Sequence, residues 1–513
     1  MIRHTFNAGL KVHVNLTFRP PIVDKTIGFW YSDVMKKEYL IGRTEECKRL
    51  NRCLKEDSAQ LVIVYGRRRV GKTYLINEFF DYSFAFKLTG SFNQSRAAQL
   101  ENFALEIKRK TKTECGVPAN WTQAFELLRE YLERLPKSNK QVVFLDELPW
   151  FDTHKSGFMP AFEWFWNDWA STQRNLVFVV CGSAASWMVD KISNNKGGLF
   201  RRQTCRLYLE PFTLSETEKF LNSKGIHWSR YEIAECYMIM GGIPYYLNLL
   251  DADLPLTQNI DNLFFKKKGE LWDEFDHLYN TLFSNSENYI KIVGILSKKR
   301  SGYTRNEIAK NVKMPANGKF TRILNNLVAS GFVRVTSFYG NKKKESVYQL
   351  SDYYTNFYFS FVREKYGKDQ HYWGKAIDNP SRRAWSGLVF EQICKDHTDQ
   401  IKAKLGISGV LTEEYAWSSK GDDDLGIPGA QVDMVIDRRD RVIDLCEMKY
   451  SVRSYIIDKS YDEDLRNKIA SFRESTGTNK SIQLVLVTTY GVKENKYSGI
   501  VGNQVLLDDL FKE

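Results

Sequence analysis

Two groups of residues have the types and spacing for chemistry on phosphates. The first lies in "LVIVYGRRRVGKTYLINEFF", where Gly66, Gly71, Lys72 and Thr73 fit GxxxxGK[ST], with Arg67, Arg68, Arg69 and Val70 between the glycines. Glycines let successive backbone N–H groups wrap a phosphate at a helix N-terminus. The lysine neutralises the β- and γ-phosphates, and the threonine hydroxyl holds Mg²⁺. Farther along, "QVVFLDELPW" delivers Asp146 and Glu147 to the carboxyl end of an apolar run, the edge where ligands bind in open α/β sheets. Asp146 is placed to bind Mg²⁺ through water, and Glu147 to orient and polarise an attacking water. A third apolar run, "NLVFVVCGSAAS", ends in Ser183, which could sense a γ-phosphate. Arg202, in "GGLFRRQTC", is a candidate to stabilise charge in the transfer. ATP and Mg²⁺ are the expected cofactors of this group.

The second group lies in "QVDMVIDRRDRVIDLCEMKY", residues 431–450. Asp433, Glu447 and the carbonyl of Met448 offer oxygen ligands suited to Mg²⁺ or Mn²⁺. Lys449 could position or deprotonate a water, the chemistry of phosphodiester cleavage. Upstream, Glu391 in "GLVFEQI" is either a further carboxylate ligand or a partner of Lys449. Glu-x-Lys alone is a weak signature, since it recurs at 46/48, 106/108 and 494/496. The 447/449 copy differs because it ends an apolar run and has an acid on the run before. The competing reading is a hairpin whose charges are solvated or pair with one another.

Several elements must position these groups. The phosphate loop needs a strand before it and an amphipathic helix after it, and the apolar runs on either side supply both. "AFEWFWNDWA" has aromatic spacings of three and four, predicting a helix face packed on the sheet, with a partner surface as the alternative. Residues 212–285 read as helices with turn breaks, a lid. Residues 286–350 read as three short helices and two strands around a basic turn, the order of a winged helix. Lys319 and Arg322 fall on its recognition helix and Lys342, Lys343 and Lys344 in its wing. Such units place a helix in the major groove and a wing on phosphates, or serve as protein-docking modules. An aromatic linker helix covers 351–380. Residues 381–513 then read as helix, three strands, helix and strand, and a turn between the second and third strands brings Asp433 near Glu447.

Ile41-Gly42-Arg43, "GRRRVGKT", "LDELPW", "CGSAASWM", "FRR" and "GGIPYYL" together resemble the prokaryotic AAA-type/STAND P-loop ATPases often called archaeal ATPases, over roughly residues 39–350. The resemblance implies that Gly42 and Arg43 border the adenine. It also implies that Pro244, in the turn Gly242-Ile243-Pro244, sits on a helical lid over the nucleotide. That family often has Gly-Arg where this chain has Arg201-Arg202, which leaves open which arginine, if either, reaches the phosphate. The αβββαβ order of the last segment resembles the PD-(D/E)XK nuclease fold. The whole resembles prokaryotic ATPases carrying a C-terminal restriction-like nuclease domain.

The expected fold is therefore multidomain α/β: a P-loop ATPase core (39–211), helical lid (212–285), winged helix (286–350), linker helix (351–380) and an αβββαβ restriction-endonuclease-like C-terminal domain (381–513). Residues 1–38 are an N-terminal extension. Its first 34 residues read as a small strand pair or as an upstream stretch absent from the native product, the second being favoured. The expected function is ATP binding and hydrolysis controlling a metal-dependent nuclease on DNA or RNA. The alternative is an ATP-driven switch that binds nucleic acid or protein without cutting.

Bulk composition agrees. Lys and Arg exceed Asp and Glu by 12 in 513 residues, which suits a polyanionic partner, DNA being favoured. Eight cysteines without CxxC spacing point to a reducing, cytoplasmic setting. The apolar runs are too short to span a bilayer, so no membrane partner is expected. A homo-oligomer is a further expectation.

Overall fold

The computed structural model describes residues 40–183, 185–188, 191, 199, 202–283, 285–340, 346–365, 368–421 and 429–513. The N-terminal extension, Arg201 and the wing lysines 342–344 lie outside the described residues.

Apolar, β-branched runs form five strands: β1 (Gln60–Gly66), β2 (Phe86–Thr89), β3 (Gln141–Asp146), β4 (Leu176–Gly182) and β5 (Cys205–Leu209). They make one sheet in the order β2-β3-β4-β1-β5, every pair parallel. β3 and β4 are buried along their whole length, as a parallel sheet covered on both faces requires. Pairing of Tyr65 with Gly182 and of Leu145 with Val180 brings the carboxyl ends of β1, β3 and β4 to one edge. Gly66, Asp146 and Ser183 meet there. The aromatic stretch is the helix Phe158–Asp168, which lays Phe162 and Trp166 on Phe178 of β4 at 5.3 and 6.4 Å. Sheet packing is thus its role, and Trp164 stays exposed.

Residues 212–283 hold short helices joined by turns, including Leu214–Ser223, Arg230–Met240, Pro244–Asn248 and Glu274–Leu282. The helices Ser286–Leu296, Arg305–Val312 and Gly318–Ala329 follow, with a small sheet of β6 (Tyr303–Thr304), β7 (Val333–Thr336) and β8 (Val347–Leu350) in the order β6-β8-β7. Lys319 and Arg322 are exposed on the third of these helices. The chain leaving β7 does not project freely. The Tyr339 N–H donates to the Ala416 carbonyl (2.9 Å) and the Ala416 N–H to the Ser337 carbonyl (3.0 Å). Backbone groups on a sheet edge seek such partners, so the start of the expected phosphate-binding wing is tied to the C-terminal sheet.

That sheet contains β9 (Thr412–Ser419), β10 (Ala430–Arg438), β11 (Val442–Lys449), β12 (Ser481–Thr488) and β13 (Asn503–Leu506), in the order β13-β12-β11-β10-β9. β9, β10 and β11 are antiparallel, while β11, β12 and β13 are parallel. The helix Pro380–Asp396 precedes the sheet, and Lys459–Thr476 links β11 to β12. Alternation along β11 puts Ile443 and Leu445 in one core with Leu465 and Phe472, and Cys446 and Met448 in the other with Phe390 and Ile393. Among the described residues no helix is long and apolar enough to cross a membrane.

Candidate active sites

The phosphate loop leaves β1 at Gly66 and enters the helix Lys72–Phe79 at Gly71. Gly66 has φ +146°, and a Cβ there would lie 2.3 Å from the Leu209 carbonyl oxygen, so only glycine fits. Lys72 is buried, and its ammonium donates to the carbonyls of Gly66 (3.1 Å) and Arg67 (2.7 Å). Burial lowers its pKa. The Thr73 hydroxyl donates to Asp146 Oδ2 at 2.8 Å, uniting the two expected Mg²⁺-binding oxygens. Glu147 follows with φ +49°, a left-handed conformation unusual for a side chain other than glycine. Ser183 Oγ donates to its Oε1 at 2.8 Å. Burial raises the Glu147 pKa, opposed by the Lys72 charge.

The loop is bracketed from outside. Arg43 Nη2 donates to the carbonyls of Val70 and Glu210, each at 3.0 Å, and its guanidinium lies 4.9 Å from the Phe212 ring. Gly42 precedes it with φ +70°, packed against Glu216. Here Arg43 fixes the loop through its backbone. Arg67 is ion-paired with Asp352, and both are buried. Arg69 pairs with Glu274 at 2.7 Å and stacks 4.1 Å from the ring of Tyr245, which follows Pro244 at the start of its helix. Arg68 instead lines a small cleft with Glu147, Ser183, Thr281 and Leu282. Sequence reasoning missed Glu274, Asp352 and Tyr245, and only "GGIPYYL" hinted at the last.

Arg202 stands apart from these residues. It precedes β5, whose Cys205 pairs with Val62 and Leu209 with Gly66, so Arg202 stands at the amino edge of the sheet. β5 alone separates it from the phosphate loop by roughly 13 Å, and it does not face this chain's own loop.

Residues 40–250 match the family described as an ATPase domain predominantly from Archaea. This segment is an archaeal-type ATPase domain. The chain is also similar to the uncharacterized protein MJECL04 of Methanocaldococcus jannaschii, 24% identical over 389 residues, 75% of this chain and 82% of that protein. A second protein of that organism, the uncharacterized ATP-binding protein MJ0423, is 51% identical over 41 residues, 8% of this chain and 70% of its own. Among solved structures, the Walker-type ATPase PABY2304 of Pyrococcus abyssi has a TM-score of 0.46 at 17% identity, covering 63% of this chain and 97% of that one. The STAND protein PH0952 from Pyrococcus horikoshii, with a tetratricopeptide repeat sensor, has a TM-score of 0.29 at 17% identity, covering 72% and 46%.

Outside the ATPase domain, the β10–β11 hairpin carries the second group. Met434 pairs with Cys446, which sets Asp433 level with Glu447 one position on. An irregularity between Val432 and Val435 interrupts the strand alternation at Asp433. The Met448 N–H donates to Asp433 Oδ2 at 2.8 Å. Lys449 Nζ stands between two carboxylates, 3.2 Å from Glu447 Oε2 and 3.8 Å from Asp433 Oδ2. Glu447 is fully buried and also accepts from Lys468 (2.9 Å) and Tyr461 (3.1 Å) on the helix Lys459–Thr476. Among the described residues its Oε1 has no hydrogen-bond partner. Glu391 comes from the helix Pro380–Asp396 and pairs with Lys395 at 3.9 Å rather than with Lys449.

Charge coupling runs through the cluster. Burial and the Asp433 charge push the Glu391 carboxyl up to about 7. Burial and Asp433 raise Glu447 as well. Burial disfavours the Lys449 ammonium, but Asp433 and Glu447 outweigh it and raise its pKa. Among the described residues no three His, Cys, Asp or Glu side chains already converge as a metal-ligand group. Tyr461 and Lys468 were not foreseen. Their spacing of seven, two helical turns, puts them on one face and was the available signal.

Proposed function

We propose that the chain hydrolyses ATP in its ATPase domain and uses the nucleotide state to control metal-dependent cleavage of DNA or RNA by residues 381–513. For the ATPase half, Thr73 Oγ1 and Asp146 Oδ2, 2.8 Å apart, fit Mg²⁺, which when bound neutralises phosphate charge. Lys72 turns from the loop carbonyls to the β- and γ-phosphates. Glu147 leaves Ser183, orients the attacking water and accepts its proton. Its raised pKa suits a general base.

One observation carries the nuclease half: Asp433 and Glu447 both lie within 4 Å of Lys449 Nζ at the end of a β-hairpin. The helix, three strands, helix and strand around it support a nuclease-like fold. Two carboxylates that flank the Lys449 ammonium, with the buried Glu447 Oε1 unpartnered among the described residues, fit a divalent metal. That metal would stabilise phosphate charge. Asp433 and Glu447 would hold it, with Glu391 nearby, while Lys449 positions the water. The exposed Lys319 and Arg322 support nucleic acid as the partner, with DNA favoured. A non-cleaving switch is the second reading, favoured by the engagement of Glu447 Oε2 with Lys449, Lys468 and Tyr461.

Incubating labelled DNA and RNA with wild type, Asp433→Ala and Lys449→Ala, in Mg²⁺ or Mn²⁺, separates the two. Cleavage by wild type that both substitutions abolish supports the nuclease. A wild type that never cuts, or variants that cut equally well, leaves only the switch.

A further inference from the structure

The cluster of Glu391, Asp433, Glu447 and Lys449 does not touch the phosphate loop, yet one helix reaches towards both. Arg230–Met240 begins with a capping box, in which Ser229 and Glu232 exchange hydrogen bonds, and ends at Gly241 in a left-handed conformation. Its eleven residues span about 16 Å.

At its carboxyl end the helix meets the nucleotide site. Gly242 has φ +63°, and a Cβ there would lie 2.1 Å from the Phe212 carbonyl oxygen, so the turn is pinned. The Phe212 N–H donates to the Gly242 carbonyl (2.8 Å), and the Tyr237 hydroxyl to the Phe212 carbonyl (2.8 Å). The Phe212 ring lies under the Arg43 guanidinium that holds Val70 of the phosphate loop.

At its amino end the helix grips two of the three elements that carry the cluster, the end of β11 and the helix Pro380–Asp396. Tyr231 stacks on Tyr450, with centroids 5.1 Å apart and planes at 15°. Tyr450 follows Lys449, and its ring also packs 5.4 Å from Phe390, which precedes Glu391. One turn along, Glu235 pairs with Arg382 on the helix Pro380–Asp396 at 3.4 Å. A single aromatic stack therefore bears on the immediate neighbours of two cluster residues.

We propose that the helix Arg230–Met240 transmits the nucleotide state to the carboxylate–lysine cluster, with Tyr231 and Glu235 as its contact points. This rests on the reading that the nucleotide controls that cluster. A shift of the phosphate loop on binding ATP moves Arg43 and Phe212, tilts the helix at Gly242 and displaces Tyr450 and Phe390 together. Tyr231 is a positioning residue, since it touches neither nucleotide nor reacting atoms.

Hydrogen-exchange mass spectrometry on the full chain, with and without a non-hydrolysable ATP analogue and Mg²⁺, tests this without requiring cleavage. In wild type, protection is expected at residues 66–73, with a change of about threefold or more in exchange at 385–396 and 447–451. Tyr231→Ala should keep the first and lose the second, and Tyr231→Phe should restore it. If Tyr231→Ala also loses the loop protection, Glu235→Gln is judged by the same criterion. An unchanged cluster in nucleotide-bound wild type, or a wild-type response in the variant, overturns the proposal. A wild type that shows the change but never cuts removes the nuclease and leaves this coupling. One that cuts under nucleotide control without the change does the reverse.

Discussion

At the scale of single residues, Lys72 and Glu147 make the clearest separation of binding from turnover. Lys72→Ala removes the ammonium that would meet the phosphates, so ATP binding should be lost in calorimetry. Glu147→Gln keeps the carbonyl that Ser183 contacts but cannot take a proton. It should bind ATP normally and turn it over about 10²-fold or more slowly. His397 offers a different test. Its Nε2 accepts the Leu214 N–H at 3.0 Å, and Nδ1 faces the Ile393 carbonyl at 2.8 Å, so the neutral ring is the one that fits. Burial lowers its pKa from the ordinary 6.5, against the pull of Asp396. Below that value the unfolded chain binds the proton more readily, so this contribution to stability is present above pH 6.5 and is lost as the pH falls. Urea midpoints should fall between pH 7.5 and 5.5 in wild type. His397→Ala should be less stable by about 1–2 kcal/mol at pH 7.5, with a shallower slope.

At the scale of elements, what the sequence disclosed was local. The phosphate loop, the acidic end of β3 and the β10–β11 hairpin each rest on neighbours within a few residues, and short motifs beside apolar runs were enough to point to them. The partners of the loop arginines were not legible, because Arg67 with Asp352 and Arg69 with Glu274 join positions brought together only by tertiary packing. The place of Arg202 was not legible for a related reason: it depends on β5 running parallel beside β1, a register no motif reveals. Strand alternation alone also missed the irregularity at Asp433. The Arg67–Asp352 pair makes a prediction at this scale. Asp352→Ala leaves a buried guanidinium without its counter-charge and should cost about 3–5 kcal/mol in urea unfolding. Arg67→Met combined with Asp352→Leu should recover most of that loss. Equal losses in the single and double variants would show that the ion pair is not what Asp352 supplies.

At the scale of the molecule, contacts beyond the ATPase domain close around its phosphate loop. Glu274 and Asp352 hold the loop arginines, while the helix Arg230–Met240 leans on Tyr450 and Arg382. The chain after β7 pairs with β9. Most of the element order could be read from the sequence, though the helix Thr398–Lys404 and the strands β6 and β13 were not, and which surfaces meet could not, since these contacts are single side chains scattered along the chain. Their arrangement gives the nucleotide site physical routes to the carboxylate–lysine cluster, along which the proposed control would run. The direct measurement is the cleavage rate of one labelled DNA in Mn²⁺ with ATP, with ADP and with no nucleotide, for wild type and Lys72→Ala. The expected rate changes severalfold with nucleotide in wild type and is the same under all three conditions in Lys72→Ala. Cleavage indifferent to nucleotide in wild type, or no cleavage under any condition, would contradict it.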